Sequence, residues 1–262
     1  MKVFFVYSSH FANLLVEEQV KVLFSYSTTS SPDKLSPDIP GGFPEVLIDS
    51  SGFQLQTGVK GVREISLTCY AMWLEFVLPK HPEISGYFNL DFKDPWDTLC
   101  NQHWFENRGL NPIPVWHDGE PQEFLDYYCL HHKWVAIGGI AKRKSAGKTF
   151  YINFNNWLHQ AYPNTNFHLL GTGISGVRAF MQARPYSTDF STWSTVARFG
   201  HGILRDDKQI IKEVRLPEAD RNRLREDKEF LKVKTVEAIR NIKYFEDTLN
   251  NLQNTSYQRL LV

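Results

Sequence analysis

Short apolar runs rich in β-branched and aromatic residues recur along the chain: VFFVY (3–7), VLFSY (22–26), VLID (46–49), YFNLDF (87–92), PIPVWH (112–117), WVAIGGI (134–140), FHLLGTG (167–173) and YSTDF (186–190). Most are continuously apolar rather than alternating, as expected of strands covered on both faces. Stretches with helical periodicity lie between several of them, namely HFANLLVEEQVK, PWDTLCNQHWFENRG and PQEFLDYYCLHH. Strand and helix in alternation predict parallel βαβ units, and eight such units close most simply into an α/β fold of the (β/α)₈ TIM-barrel type.

Two segments break the rhythm. Residues 27–44, STTSSPDKLSPDIPGGFP, are rich in Ser, Thr, Pro and Gly and predict a long loop. From Leu216 onward, many charges with spaced Leu, Val, Ile and Phe predict one or two amphipathic helices packed on the outside. The expected organisation is a barrel domain over 1–215 and a C-terminal helical extension over 216–262.

A chain of 262 residues falls within the size of a single barrel, and 42% hydrophobic residues supply its core. Lys+Arg and Asp+Glu both number 29, so net charge neither favours nor excludes a polyanionic partner, and only local clusters can speak. Three widely spaced cysteines, Cys69, Cys100 and Cys129, fit a reduced compartment better than a disulfide framework. With no signal-peptide pattern at MKVFFVYSSH and no membrane-length apolar stretch, the expectation is a cytoplasmic protein without a membrane anchor.

In a parallel α/β barrel the C-terminal strand ends carry the chemistry, so polar residues that terminate apolar runs become candidates. They are Asp49 in the third strand, Asp91 in the fourth, His117 in the fifth, Gly138 and Gly139 in the sixth, Gly171 in the seventh and Asp189 in the eighth. Each also has a structural alternative: aspartate caps helices, a lone histidine fills hydrogen bonds, and glycine makes tight turns. After the sixth strand, AKRKSAGK gathers Lys142, Arg143, Lys144 and Lys148, which suit either a solvated loop or a phosphate-backbone contact. No Cys-x-x-Cys spacing appears, and adjacent His131 and His132 diverge on a helix, so no metal site is expected.

Four of these stretches together resemble a known family. DSSGFQ (49–54) resembles the DSGGFQ motif of tRNA-guanine transglycosylases, IGGIA (137–141) their GGL segment, LLGTG (169–173) their G-x-G strand, and YSTDFSTW (186–193) the segment bearing their nucleophilic aspartate. With MKVFFVYSS, VLFSYS and PIPVWH, the chain looks most like the short branch, encoded by phages and prokaryotes, that inserts 7-deazaguanine bases into DNA.

The resemblance implies that Asp189 is the nucleophile, Asp49 the general acid/base and Asp91 a base-recognising carboxylate. It further implies that Gly138 and Gly139 present backbone groups to the heterocycle and that Gly171 belongs to the base site. His117 stands near the place of a recognising glutamine, and Phe53 and Gln54 line the pocket wall. Partners would be DNA with a flipped-out or single-stranded guanosine and a 7-deazaguanine base, with no cofactor. Trp116 and Tyr186 are further stacking candidates.

Two departures stand out. Ser51 replaces a family glycine, which matters if that position needs a positive φ. The tRNA enzymes' Cys-x-Cys-x-x-Cys…His zinc site is missing, which argues against tRNA. Three alternatives stay open: a tRNA-guanine transglycosylase, a hydrolytic N-glycosidase-type barrel and a non-catalytic nucleic-acid-binding barrel. The exposed faces of the C-terminal helices suit a homodimer interface or a nucleic-acid clamp equally.

Overall fold

The computed structural model describes residues 1–26, 39–52, 66–140, 147–172, 177–180, 182–206 and 210–259. Eight strands make an all-parallel sheet: β1 (Lys2–Val6), β2 (Val22–Ser25), β3 (Val46–Asp49), β4 (Ile84–Tyr87), β5 (Val115–His117), β6 (Trp134–Gly138), β7 (Asn166–Leu169) and β8 (Ser187–Phe190). A separate antiparallel hairpin pairs β9 (His201–Arg205) with β10 (Ile211–Arg215). The helices are α1 (Ala12–Glu17), α2 (Leu67–Val77), α3 (Pro95–Glu106), α4 (Gln122–His131), α5 (Gly147–Ala161), α6 (Val177–Phe180), α7 (Thr195–Phe199), α8 (Glu218–Glu226) and α9 (Lys228–Arg259). The protein is therefore of the mixed α/β class. Among the described residues, no helix is long and apolar enough to cross a membrane.

The chain forms two compact units. One comprises Val6–Ile140 and Asn164–Leu170 and is called here the β2–β7 unit. In it β2 pairs with β3 from Val22↔Val46 to Ser25↔Asp49, and β3 pairs with β4 through Leu47↔Gly86 and Ile48↔Tyr87. On the other flank β5 pairs with β6, His117 opposite Gly138, and β6 pairs with β7 from Trp134↔Asn166 to Ile137↔Leu169. A parallel bridge, Phe88↔Ile113, joins the end of β4 to the approach to β5. Val22, Phe24, Leu47, Ile48, Val135 and Ile137 are buried, which is why these strands read as unbroken apolar runs.

Local signals fix the helices of this unit. Ser66 caps α2 by accepting from the Cys69 amide at 3.4 Å. Asp94 caps α3 by accepting from the Trp96 amide at 2.9 Å, with Pro95 in the first turn where no amide is needed. Tyr70 of α2 is fully buried and its hydroxyl donates to the Phe88 carbonyl at 3.0 Å.

The fourth strand departs from the sequence expectation. The pattern predicts 87–92, but the ladder runs over Ile84–Tyr87, and the chain leaves the sheet after Phe88. Phe88 and Leu90 are buried all the same, so their apolarity marks burial and not strand. Side chains hold that exit in place: Asn89 Nδ2 donates to the Thr98 carbonyl and Asn101 Nδ2 to the Leu90 carbonyl, both at 2.8 Å. Asp91 thus lies in the β4–α3 connection and does not close the strand.

The second unit, Met1–Phe5, Ala141–Pro163 and Gly171–Val262, is called here the β1/β8 unit. Here β1 pairs with β8 from Lys2↔Ser187 to Phe5↔Phe190. The long helix α9 buries a stripe of Ile239, Ile242, Phe245 and Leu249, at helical spacing. The buried Glu246 on the same helix accepts from the Val3 amide at 3.1 Å, and the Met1 amine donates to Asn250 Oδ1 at 2.8 Å. The helices expected after Leu216 are α8 and α9, while the preceding hairpin β9–β10 is an element that the apolar runs do not announce.

Candidate active site

The exit of β3 is a tight turn over Asp49–Gly52. The Ser25 hydroxyl donates to Asp49 Oδ2 at 2.9 Å and the Ser51 amide to Asp49 Oδ1 at 3.0 Å, so both carboxylate oxygens are held. Ser51 itself has φ +68°, in the left-handed region that a serine adopts only at a cost. The chain thus holds a glycine-like conformation here with a side chain in place.

The same turn meets Asp91. The Ser50 hydroxyl donates to Asp91 Oδ1 at 3.4 Å, and the Gly52 amide donates to Ser50 Oγ at 3.3 Å. A Cβ on Gly52 would fall 2.3 Å from Asp91 Oδ1 and 2.5 Å from the Asp91 backbone oxygen, so only glycine fits against that residue.

Asp91 is also paired to His117. His117 Nε2 lies 3.0 Å from Asp91 Oδ2, and Nδ1 lies 2.9 Å from Glu120 Oε1. Glu120 Oε2 also accepts the His117 amide at 3.0 Å, so Glu120 grips that residue at two points. Burial by itself would lower the imidazole's affinity for a proton. The hydrogen bonds to Asp91 and then Glu120, with the charges of both, outweigh it and hold the pKa up to about 9. At neutral pH the ring is an imidazolium donating from both nitrogens.

Gly138, the last residue of β6, and Gly139 beyond it both lie beside His117. A Cβ on Gly138 would sit 2.5 Å from His117 Cδ2, so the ring lies directly on the strand. Gly139 follows with φ +78°. Asp49, Asp91, His117, Gly138 and Gly139, chosen from sequence, therefore share the strand exits of the β2–β7 unit.

In the β1/β8 unit, Asp189 lies on β8 opposite Phe4 and is 6% exposed. The Gly171 amide donates to Asp189 Oδ1 at 2.7 Å, which ties two of the expected residues together. Gly171 has φ +65°, a conformation that glycine adopts without strain. Beside them the hydroxyls of Thr172 and Thr188 are 2.6 Å apart.

Some expectations fare differently. Phe53, Gln54, Lys142, Arg143 and Lys144 lie outside the described residues, as does the side chain of Lys148. Trp116 is buried, with its indole N–H donating to the Pro121 carbonyl at 3.3 Å, and so fills the core. Tyr186 has the Lys2 amine 5.6 Å from its ring centroid. Cys69, Cys100 and Cys129 are free thiols. Among the described residues, no group of three or more His, Cys, Asp or Glu side chains is arranged to hold a metal ion.

Sequence reasoning missed Glu120, Ser25 and Ser50. Glu120 had a signal: HDGE (117–120) puts glycine third in a four-residue turn. The structure has that turn, with the Glu120 amide bonded to the His117 carbonyl at 2.9 Å and Gly119 at φ +105°. No family model matches the chain, and no curated protein matches it.

Proposed function

We propose that this chain is a base-exchange transglycosylase that replaces guanine in DNA with a 7-deazaguanine derivative, its eight strands closed as a (β/α)₈ barrel. The observation that carries the reading is that each carboxylate assigned a role is held by hydrogen bonds at or just beyond a parallel strand. Asp49 is gripped by Ser25 and Ser51, Asp91 by His117 and Ser50, and Asp189 by the Gly171 amide. Parallel α/β barrels place their chemistry at the C-terminal strand ends, and the Phe88↔Ile113 bridge supports closure between β4 and β5. The choice of DNA rests on the sequence motifs and on the missing zinc-ligand pattern.

In the proposed cycle a guanosine turned out of the helix, or already single-stranded, enters the site. The Asp189 carboxylate attacks the anomeric carbon as the bond to guanine N9 breaks, and Asp49 delivers a proton to the departing base. Positive charge developing on the sugar favours a carboxylate partner, as in retaining glycosidases. The incoming 7-deazaguanine gives its N9 proton to Asp49, its N9 attacks the same carbon, and the Asp189–sugar ester opens. The glycosidic bond energy is carried through the ester, so no nucleoside triphosphate enters the balance.

Labelled 7-cyano-7-deazaguanine, incubated with guanine-containing duplex, single-stranded DNA and tRNA, tests the reading. Label in DNA is the expected result, with a denaturation-stable protein–DNA adduct that Asp189→Asn abolishes. Label in tRNA alone overturns the choice of DNA, abasic sites without label point to a hydrolase, and an active Asp189→Asn removes the proposed nucleophile.

A further inference from the structure

The exchange cycle gives Glu120 no part, yet this residue holds both the backbone amide and the ring of His117. We propose that Glu120 is a positioning residue for base selectivity. By fixing the imidazole whose Nε2–H anchors Asp91, it makes Asp91 a rigid acceptor for a purine that carries a ring N–H beside an exocyclic amine. The inference rests on the assignment of Asp91 to base recognition and adds the element that sets its preference.

The geometry is that of a relay with no loose joint. One oxygen of Glu120 takes the His117 backbone amide and the other takes Nδ1–H, at 3.0 and 2.9 Å, so neither main chain nor ring is free to turn. The ring presents Nε2–H to Asp91 Oδ2 at 3.0 Å. Asp91 Oδ1 faces the Ser50 hydroxyl at 3.4 Å, and Gly52 packs against both its side chain and its backbone. Gly138 supports the ring from β6 and brings no charge. The charged groups that bear on the imidazole are Asp91 from the β4–α3 connection and Glu120 from the β5–α4 loop. Tyr128 of α4, whose hydroxyl is held well above its ordinary pKa by burial and then by Glu120, stays neutral.

A carboxylate oxygen accepts more than one hydrogen bond, so an anchored Asp91 can still receive donors from a ligand. Guanine and its 7-deaza derivatives offer two adjacent donors, the ring N1–H and the 2-amine. Hypoxanthine lacks the amine, and adenine turns a lone pair toward the acceptor, which repels it. A fixed anionic acceptor therefore selects the two-donor edge. A histidine held only by Asp91 would titrate nearer the ordinary range and swing, and the selection would weaken.

The test uses the full-length chain, its Glu120→Gln variant and its Glu120→Asp variant. The His117 imidazole titration is followed by nitrogen-15 NMR, assigned through His117→Gln. Equilibrium dialysis measures binding of labelled guanine, hypoxanthine and adenine at pH 8. Wild type should titrate near pH 9. E120Q should titrate at least about one unit lower and bind guanine roughly tenfold more weakly, with hypoxanthine little changed. E120D, which keeps the charge, should recover part of the guanine preference.

An unmoved titration in folded E120Q, or an unchanged guanine-to-hypoxanthine ratio, overturns the proposal; if E120Q does not fold, E120D, whose shorter side chain cannot keep both contacts, decides by that ratio, and a ratio equal to wild type overturns the proposal. A wild type that prefers guanine but transfers no base to a nucleic acid sinks the exchange reading and leaves this inference standing. A wild type with no guanine preference sinks the inference whether or not exchange occurs.

Discussion

Gly52→Ala adds one methyl group at the most crowded point of the site. The new Cβ would start 2.3 Å from Asp91 Oδ1 and 2.5 Å from the Asp91 carbonyl oxygen. Ordinary carbon–oxygen contact begins near 3.4 Å, so the turn and Asp91 must part by roughly 1 Å. Rotating the Asp91 side chain relieves only one of the two clashes, because the second oxygen is backbone. Overpacking of this kind costs about 1–3 kcal/mol in stability. Misplacing a binding or catalytic group by about 1 Å costs on the order of a hundredfold in rate. The urea midpoint and the kcat/KM of the proposed guanine exchange should therefore both fall. Gly41→Ala is the matched control, since a Cβ there meets nothing within 4 Å. It should leave activity intact and change stability by less than about 1 kcal/mol, in the stabilising direction. Gly52→Ala with the stability and activity of Gly41→Ala would refute the claim that the 49–52 turn is built around Asp91.

The raised His117 pKa ties stability to pH. Its folded value of about 9 exceeds the ordinary 6.5, so its contribution, on the order of 3 kcal/mol, is complete below pH 6.5 and is lost as the pH rises through 9. Urea midpoints of wild type and His117→Gln should differ most at pH 6 and converge by pH 10, and a gap that widens with pH contradicts the clamp. Cys129 is half-buried, and burial holds its thiol up to about 12, whereas Cys69 and Cys100 are exposed. Iodoacetamide at pH 8 should add two groups to the native chain and three only in denaturant, as read by intact mass; rapid addition of three to folded protein would show Cys129 to be open.

Much of the scaffold was legible because parallel strands covered on both faces leave uninterrupted apolar runs. VLID maps onto β3 without a shift, and WVAIGGI begins with β6 and runs two residues past its end. The fourth strand misled because ISGY, which pairs in the sheet, contains serine and glycine, whereas the more apolar stretch after it is buried in a connection. Apolarity reports burial, and only backbone pairing makes a strand. The hairpin was hidden for the opposite reason: HGILR and IKEVR are half-polar, and they precede a charged helical stretch that draws the eye.

Of the candidate site, Asp49 and Asp189 stood out in the sequence because each comes at the end of an apolar run, whereas Asp91 lies beyond the strand it was expected to close. Glu120 was announced only by the HDGE turn, because its importance lies in which atoms it reaches and not in its place on a strand. The positive φ of Ser51 was foreseeable only as a condition, since its sequence offers serine where the conformation favours glycine. That a serine holds this shape shows that the surrounding bonds, including its amide to Asp49, outweigh the local cost.

The attachment of β1 to helix α9 bears on how the molecule comes into being. The Val3 amide finds its buried acceptor on Glu246, 243 positions later, and one of the strand's two sheet neighbours is β8. A strand that draws an amide acceptor and one of its neighbours from so far along the chain is completed only by contacts of very long range, which slow folding. One side of β1 therefore stays open to unwanted pairing until β8 and α9 have docked.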